Sequence, residues 1–189
     1  ESATDVVVVG AGPVGLSLAM DLASRGVVVV VVETRRYAEP PSVKCNHVSA
    51  RTMERFRRLG VARKLRDAGL PEDYPNDVVF RTSMCGQELT RIPIPGRRDR
   101  YTSREGPDTD WPTPEPPHRI NQLFLEPLLL EHAAGMPGIT LLNRTRATGF
   151  RQDTAGVTVE LLDLDSGQAR RIRCRYLAGC DGGSSTVRK

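Results

Sequence analysis

Near the start of the chain, DVVVVG (Asp5 to Gly10) runs straight into AGPVG, and after a helical stretch VVVVVV (Val27 to Val32) ends at Glu33. Few folds accommodate that succession. A continuous β-branched run reads as a strand covered on both faces, as in a parallel sheet. Pro13 suits the first turn of a helix, Leu16, Ala19, Leu22 and Ala23 give that helix an apolar face, and Gly26 stands where it should close. The spacing predicts a strand over 5–10, a helix over 13–25 and a second buried strand over 27–32. Two parallel strands joined by a helix form a βαβ unit, so the fold class is α/β.

Three glycines, Gly10, Gly12 and Gly15, sit between strand and helix in the spacing GxGxxG. The first permits a tight turn off the strand, the second lets backbone approach a pyrophosphate, and the third lets the helix pack against the strand. Diphosphate oxygens would meet the amide end of the helix around Pro13 and Val14, where the helix dipole contributes roughly 0.3–1 kcal/mol per charge. A carboxylate at Glu33 can accept both ribose hydroxyls of an adenosine and would repel a 2′-phosphate; Arg35, two residues on, joins the candidate set. The pattern predicts dinucleotide binding without separating FAD from NAD. A nicotinamide dehydrogenase would continue with further βα units, and this chain does not.

Instead, a proline-containing loop over 34–47 leads to SARTMERFRRLG, with Ser49 as helix N-cap, Met53, Phe56 and Leu59 as the inward stripe and Gly60 as the stop. A short helix over 61–68 follows. DVVFRTSMCGQELTRIPI predicts a β-hairpin over 77–94 that turns near Gly86, with Val78, Phe80, Thr82 and Met84 on one face and Leu89, Ile92 and Ile94 on its return. Pro93 makes that return an edge. Residues 95–118 are rich in proline and charge and read as a long exposed loop, a length that usually signals function or disorder. Helical periodicity resumes after Asn121, with Pro127 expected to start or kink the regular part. GITLL is a short strand, and residues 146–176 form an antiparallel meander. Its last strand turns Ile172, Cys174 and Tyr176 one way and Arg171, Arg173 and Arg175 the other. YLAGCD then returns to buried sheet, and a helix is expected to start at Ser184 or Ser185.

Composition excludes more than it proposes. The net charge of +4 is carried by arginine, since only Lys44, Lys64 and Lys189 are lysines, and no aromatic residues interleave with the basic clusters as single-strand stacking requires. The charge suits an anionic cofactor rather than nucleic acid. Cys45, Cys85, Cys174 and Cys180 show no paired or metal-ligand spacing, so reduced thiols and no metal are expected, and His47, His118 and His132 stand apart from one another. No apolar stretch is long enough to cross a bilayer, which makes a cytoplasmic location without membrane attachment the expectation. The first residue is Glu1 rather than Met, so a processed or trimmed start is expected.

Taken in order, VVVVGAGPVGLSLAMDLASRG, the strand ending at Glu33, SARTMERFRRLGV, RINQLFLEPLLLEHA and YLAGCDGGSSTVR resemble the FAD-dependent aromatic-ring hydroxylases, the single-component monooxygenases typified by p-hydroxybenzoate and phenol hydroxylase. The resemblance spans nearly the whole chain. It implies that FAD is the cofactor, with its pyrophosphate at Gly10, Gly12 and Gly15 and its adenosine ribose at Glu33, and that Gln122 contacts the flavin side. Asp181, Gly182, Ser185 and Arg188 match the DGxxSxxR pattern linked in that family to both FAD and NAD(P)H. Lys44 stands where the family usually has an arginine, keeping the charge but losing the bidentate fork.

By the same resemblance, the parent protein hydroxylates a phenolic or other small aromatic substrate, using NAD(P)H as co-substrate and O2 through a flavin C4a-hydroperoxide. No catalytic side chain is identifiable. The family's Gly-Asp motif is missing, so the chain is expected to be the N-terminal part of a longer enzyme, for which a homodimer is one open assembly. Residues 1–75 and 119–189 then form a Rossmann-like FAD-binding domain, and 76–118 belong to the substrate domain and its sheet. Two alternatives stay open: an FAD-dependent dehydrogenase or reductase on the same fold, and an inactive nucleotide-binding fragment.

Overall fold

The computed structural model describes residues 2–41 and 44–189; Glu1, and Ser42 and Val43 within the predicted 34–47 loop, lie outside the described residues. The chain divides into two compact units, Glu1–Ser42 with Leu125–Lys189, and Val43–Phe124.

The first unit holds β1 (Ser2–Val9), α1 (Pro13–Ala23) and β2 (Val29–Val32), the βαβ unit read from the sequence. Val27 does not join β2, because its N–H closes the end of α1 on the Leu22 carbonyl, while the Val28 N–H bonds the Asp5 carboxylate. Gly26, at φ +81°, makes that turn.

In the second unit, β3 (His47–Val48) precedes α2 (Ala50–Arg58) and α3 (Ala62–Asp67). The Ser49 hydroxyl caps α2 by accepting the Thr52 N–H, Met53 and Phe56 are buried, and Leu59 is half-buried. The predicted hairpin forms from β4 (Val78–Arg81) and β5 (Glu88–Ile92). It is shorter than expected: the Thr82 N–H bonds the Gln87 carbonyl, so residues 82–87 form the turn and Thr82 and Met84 leave the strand face. Every residue of both strands is exposed. Next comes β6 (His118–Arg119), which pairs antiparallel with β3, a contact the sequence pattern did not signal.

Residues 95–118 carry no regular element before β6, yet they are not wholly exposed as expected. Arg100, Glu115, Pro116, Pro117 and His118 are buried, because Glu115 draws the segment inward through an ion pair with Arg66 at 2.7 Å and a hydrogen bond from the Tyr101 hydroxyl at 2.9 Å.

Helix α4 (Gln122–Ala134) begins in the second unit and continues in the first; Asn121 Oδ1 accepts the Leu123 N–H at its start, and Pro127 lies within it. The first unit is completed by β7 (Ile139–Leu142), β8 (Thr145–Asp153), β9 (Gly156–Asp163) and β10 (Ala169–Gly179). Its six-stranded sheet has the order β7-β2-β1-β10-β9-β8. β7, β2, β1 and β10 are parallel, while β10, β9 and β8 form the antiparallel meander.

β10 unites the two parts. Its first half pairs with β9 up to Cys174, and from Ile172 onward it pairs with β1. Ile172 and Cys174 therefore join Val7, Val9, Val157, Val159 and Leu161 in the core. Tyr176, expected to share their face, is exposed, because it lies past the end of the β9 pairing. Among the described residues no helix is long and apolar enough to cross a membrane.

Candidate functional site

The parallel strands bring their carboxyl ends to one edge of the sheet, where open α/β folds bind ligands. There the three glycines differ in geometry. Gly10 has φ +103°, and a Cβ on it would lie under 3.0 Å from the Cys180 carbonyl and 3.1 Å from Asp181 Cα. A Cβ on Gly15 would lie under 3.0 Å from the Gly10 carbonyl. At Gly12 the nearest atom to such a Cβ is Glu126 Oε1, at 4.0 Å. The first and third glycines are spent on packing, whereas the second opens on free space. Gly12 also stands at the N-cap of α1 with no side chain capping the helix, Pro13 occupies the first turn, and Val14 is 71% exposed. This amide end, open above Gly12, fits a diphosphate.

Close approach at Gly10 brings together motifs that are far apart in sequence. The Cys180 N–H donates to the Val9 carbonyl at 2.8 Å, so the ends of β1 and β10 lie side by side with Asp181 next to the glycine turn. Asp181 Oδ2 accepts the N–H groups of Thr186 and Val187, at 2.6 and 3.3 Å, and folds the following segment back. Val187 then packs on Gly179. Asp181 Oδ1 is buried with no hydrogen-bond partner among the described residues. The helix expected from Ser184 or Ser185 is a series of turns, although the Ser185 hydroxyl accepts the Arg188 N–H, the bond that begins a helix. The fold-back onto Asp181 and Gly179 takes the place of further helical turns.

Glu33 lies at the end of β2, and main-chain donors fix its carboxylate. Oε2 accepts the Ala11 N–H at 2.8 Å and Oε1 the Arg35 N–H at 2.9 Å. The Arg35 guanidinium lies 3.3 Å from Glu33 and 2.9 Å from Glu126 Oε2. Burial alone would raise the Glu33 pKa, but the Arg35 and Ala11 donors outweigh it and hold the carboxyl below its ordinary value. Arg35 moves the opposite way: burial disfavours its charge, and the two carboxylates more than restore it. Ala11, Glu33, Arg35, Glu126, Pro127 and Asn143 line a small cavity at this edge. Glu126, Asn143 and the Ala11 amide were not singled out from the sequence. An acid inside the apolar run LFLEPLLL was the available signal for Glu126, since a buried carboxylate needs a cationic partner.

Gly10, Gly12, Pro13, Val14, Gly15, Glu33, Arg35 and Asp181 thus belong to one unit, with the first seven and Asp181 around the ends of β1, β2 and β10. Lys44 and Gln122 belong to the second unit, where Lys44 is exposed and Gln122 is buried with its N–H on the Cys45 carbonyl.

Known proteins resemble the chain over nearly its whole length. The chain is 34% identical over 186 residues to phenol 2-monooxygenase of Pseudomonas sp. (strain EST1001), an alignment covering 97% of this chain and 29% of that protein. With aklavinone 12-hydroxylase DnrF of Streptomyces peucetius subsp. caesius it shares 35% identity, over 98% of this chain and 37% of the relative. Among solved structures, substrate-free RebC, a rebeccamycin biosynthetic enzyme, superposes with a TM-score of 0.86 at 38% identity, covering 99% of this chain and 34% of RebC. The flavin-dependent monooxygenase PieE, solved with FAD and substrate, gives 0.83 at 28% identity, over 99% and 31% of the two chains. The chain therefore spans about a third of the length of these relatives. The FAD binding domain family matches residues 3–189, and the chain belongs to that family.

Proposed function

We propose that the protein carrying this chain is an FAD-dependent monooxygenase that hydroxylates a phenolic or other small aromatic substrate with NAD(P)H and O2. The observation that carries the reading is the meeting of the glycine turn and Asp181 at the ends of β1 and β10, in a chain that resembles aromatic hydroxylases over nearly all its residues. In this reading Gly12, Pro13, Val14 and Gly15 present the amide end of α1 to the FAD pyrophosphate, and Gly10 makes room for Asp181. Glu33, held by the Ala11 and Arg35 amides, accepts the adenosine ribose hydroxyls, and Arg35 keeps it ionised. Asp181, held beside the glycine turn through the Thr186 and Val187 amides, is assigned to cofactor binding by resemblance. Lys44 and Gln122 are assigned to the flavin half by resemblance.

When bound, FAD would supply the redox chemistry that couples oxidation of NAD(P)H to insertion of one atom of O2 into the ring, with the other leaving as water. The chain's own part is to bind and orient the cofactor's adenine half. A cytoplasmic location is part of the same proposal. The test uses the full reading frame: NAD(P)H oxidation and product formation are followed together across a panel of phenols under labelled O2. A hydroxylated product carrying one labelled oxygen is expected. Peroxide release with no hydroxylated product across the panel would point instead to a reductase or dehydrogenase.

A further inference from the structure

Glu126 is a carboxylate in apolar surroundings. It lies on α4 between Leu125 and Pro127, with Leu129 and Leu130 one turn on, and all three leucines are buried. Its own side chain is 7% exposed. A charge so placed needs a partner, and Glu126 finds one 91 residues away in sequence: Oε2 accepts Arg35 Nη1 at 2.9 Å. Compared with apolar packing of similar volume, a buried ion pair adds little net stability, so what Glu126 contributes is the position of Arg35.

That position leaves Arg35 little freedom. Nη1 donates to Glu126, Nε to Glu33 Oε1 at 3.3 Å and Nη2 to Glu33 Oε2 at 3.4 Å, so every guanidinium nitrogen is bound to a carboxylate. Glu33 Oε2 in turn accepts the Ala11 N–H within the glycine turn, and Glu126 Oε1 is the nearest atom to a Cβ on Gly12. Against the effect of burial, these hydrogen bonds keep Glu33 and Arg35 charged. One guanidinium between two carboxylates leaves one net negative charge at the end of β2. Without the Glu126 carboxylate the charges would balance, and Nη1 would be free to meet another acceptor. The neighbouring cation, Arg36, is 70% exposed and lies 3.9 Å from Asp165.

We propose that Glu126 is a positioning residue that sets nucleotide specificity at this edge: by holding Arg35 on Glu33, it keeps the ribose site negative and withholds that guanidinium from a 2′-phosphate. This role presupposes that the edge binds the adenosine end of FAD, as proposed above. The ribose there carries free hydroxyls, which Glu33 accepts. A 2′-phosphate adds roughly two negative charges, which an engaged Arg35 cannot offset and a released one can.

Calorimetry compares ADP with 2′-phospho-ADP, which differ by that phosphate alone. The parent chain is expected to bind ADP at least tenfold more tightly. Glu126→Gln keeps the side chain's size and removes its charge, and should shrink the preference for ADP at least threefold. The same change in an Arg35→Gln background should leave the preference unchanged, because no guanidinium remains to be released. A general weakening of the fold would lower both affinities alike and leave their ratio as it was. Should Glu126→Gln not fold, Arg35→Gln alone decides: it should keep at least the parent's preference, and a lower one would overturn the proposal. So would a smaller preference in the parent, a smaller shift in folded Glu126→Gln, or an equal shift in the Arg35→Gln background, all of which leave the FAD reading standing. A folded parent that binds neither nucleotide would overturn the FAD reading and this role with it.

Discussion

At Gly12 a methyl group would meet nothing closer than 4.0 Å, whereas at Gly10 and Gly15 it would collide with backbone. Substitution should therefore separate folding from binding within a single motif. Gly10→Ala, forced to keep φ +103° and to displace the Cys180 carbonyl, is expected to cost about 1–3 kcal/mol or more in urea unfolding. Gly12→Ala should cost less than about 1 kcal/mol, the penalty of a poorer N-cap, and yet weaken FAD binding. Equal losses of stability in the two variants would contradict this division of roles. Glu33 makes a second prediction at this scale. Its carboxyl is held below the ordinary value of 4.5 in the fold, so its stabilising effect is complete above that pH and is lost as the pH falls through the folded value. Glu33→Gln should flatten that part of the acid-unfolding profile.

Among the elements, β10 carries the greatest structural burden, since one strand closes the meander and flanks β1. Ile172→Ala on its buried face is expected to cost about 2–5 kcal/mol, measured by chemical denaturation. Ser49→Ala, which removes the α2 cap, should cost about 1 kcal/mol. Beside β3, the buried His118 resists protonation down to about pH 4 while an unfolded histidine protonates near 6.5. The unfolded state then binds more protons, so stability should fall by roughly 3 kcal/mol between those pH values, and His118→Gln should remove that slope. The βαβ unit, the α2 cap and the meander were legible because their signals are local: β-branched runs, cap residues and alternation. The β3–β6 pairing and the buried ends of the 95–118 segment were not, because Glu115 and Arg66 are 49 residues apart and read locally as ordinary surface charges.

For the whole molecule, the decisive feature is a contact between its two ends, Gly10 against Cys180 and Asp181. Each half of the site could be read from its own motif. Their adjacency could not, since it depends on β10 running parallel to β1 rather than turning away at the end of the meander. Glu126 escaped notice for the same reason, as its partner Arg35 is distant in sequence. The central claim is that this edge of the sheet holds the adenine half of FAD, and ADP carries only that half. Calorimetric titration of ADP into the chain tests it most directly. Saturable binding is expected, weakened at least tenfold by Gly12→Val and by Glu33→Gln in folded protein. Binding that is absent in the folded parent chain, or unchanged in both variants, would contradict the account.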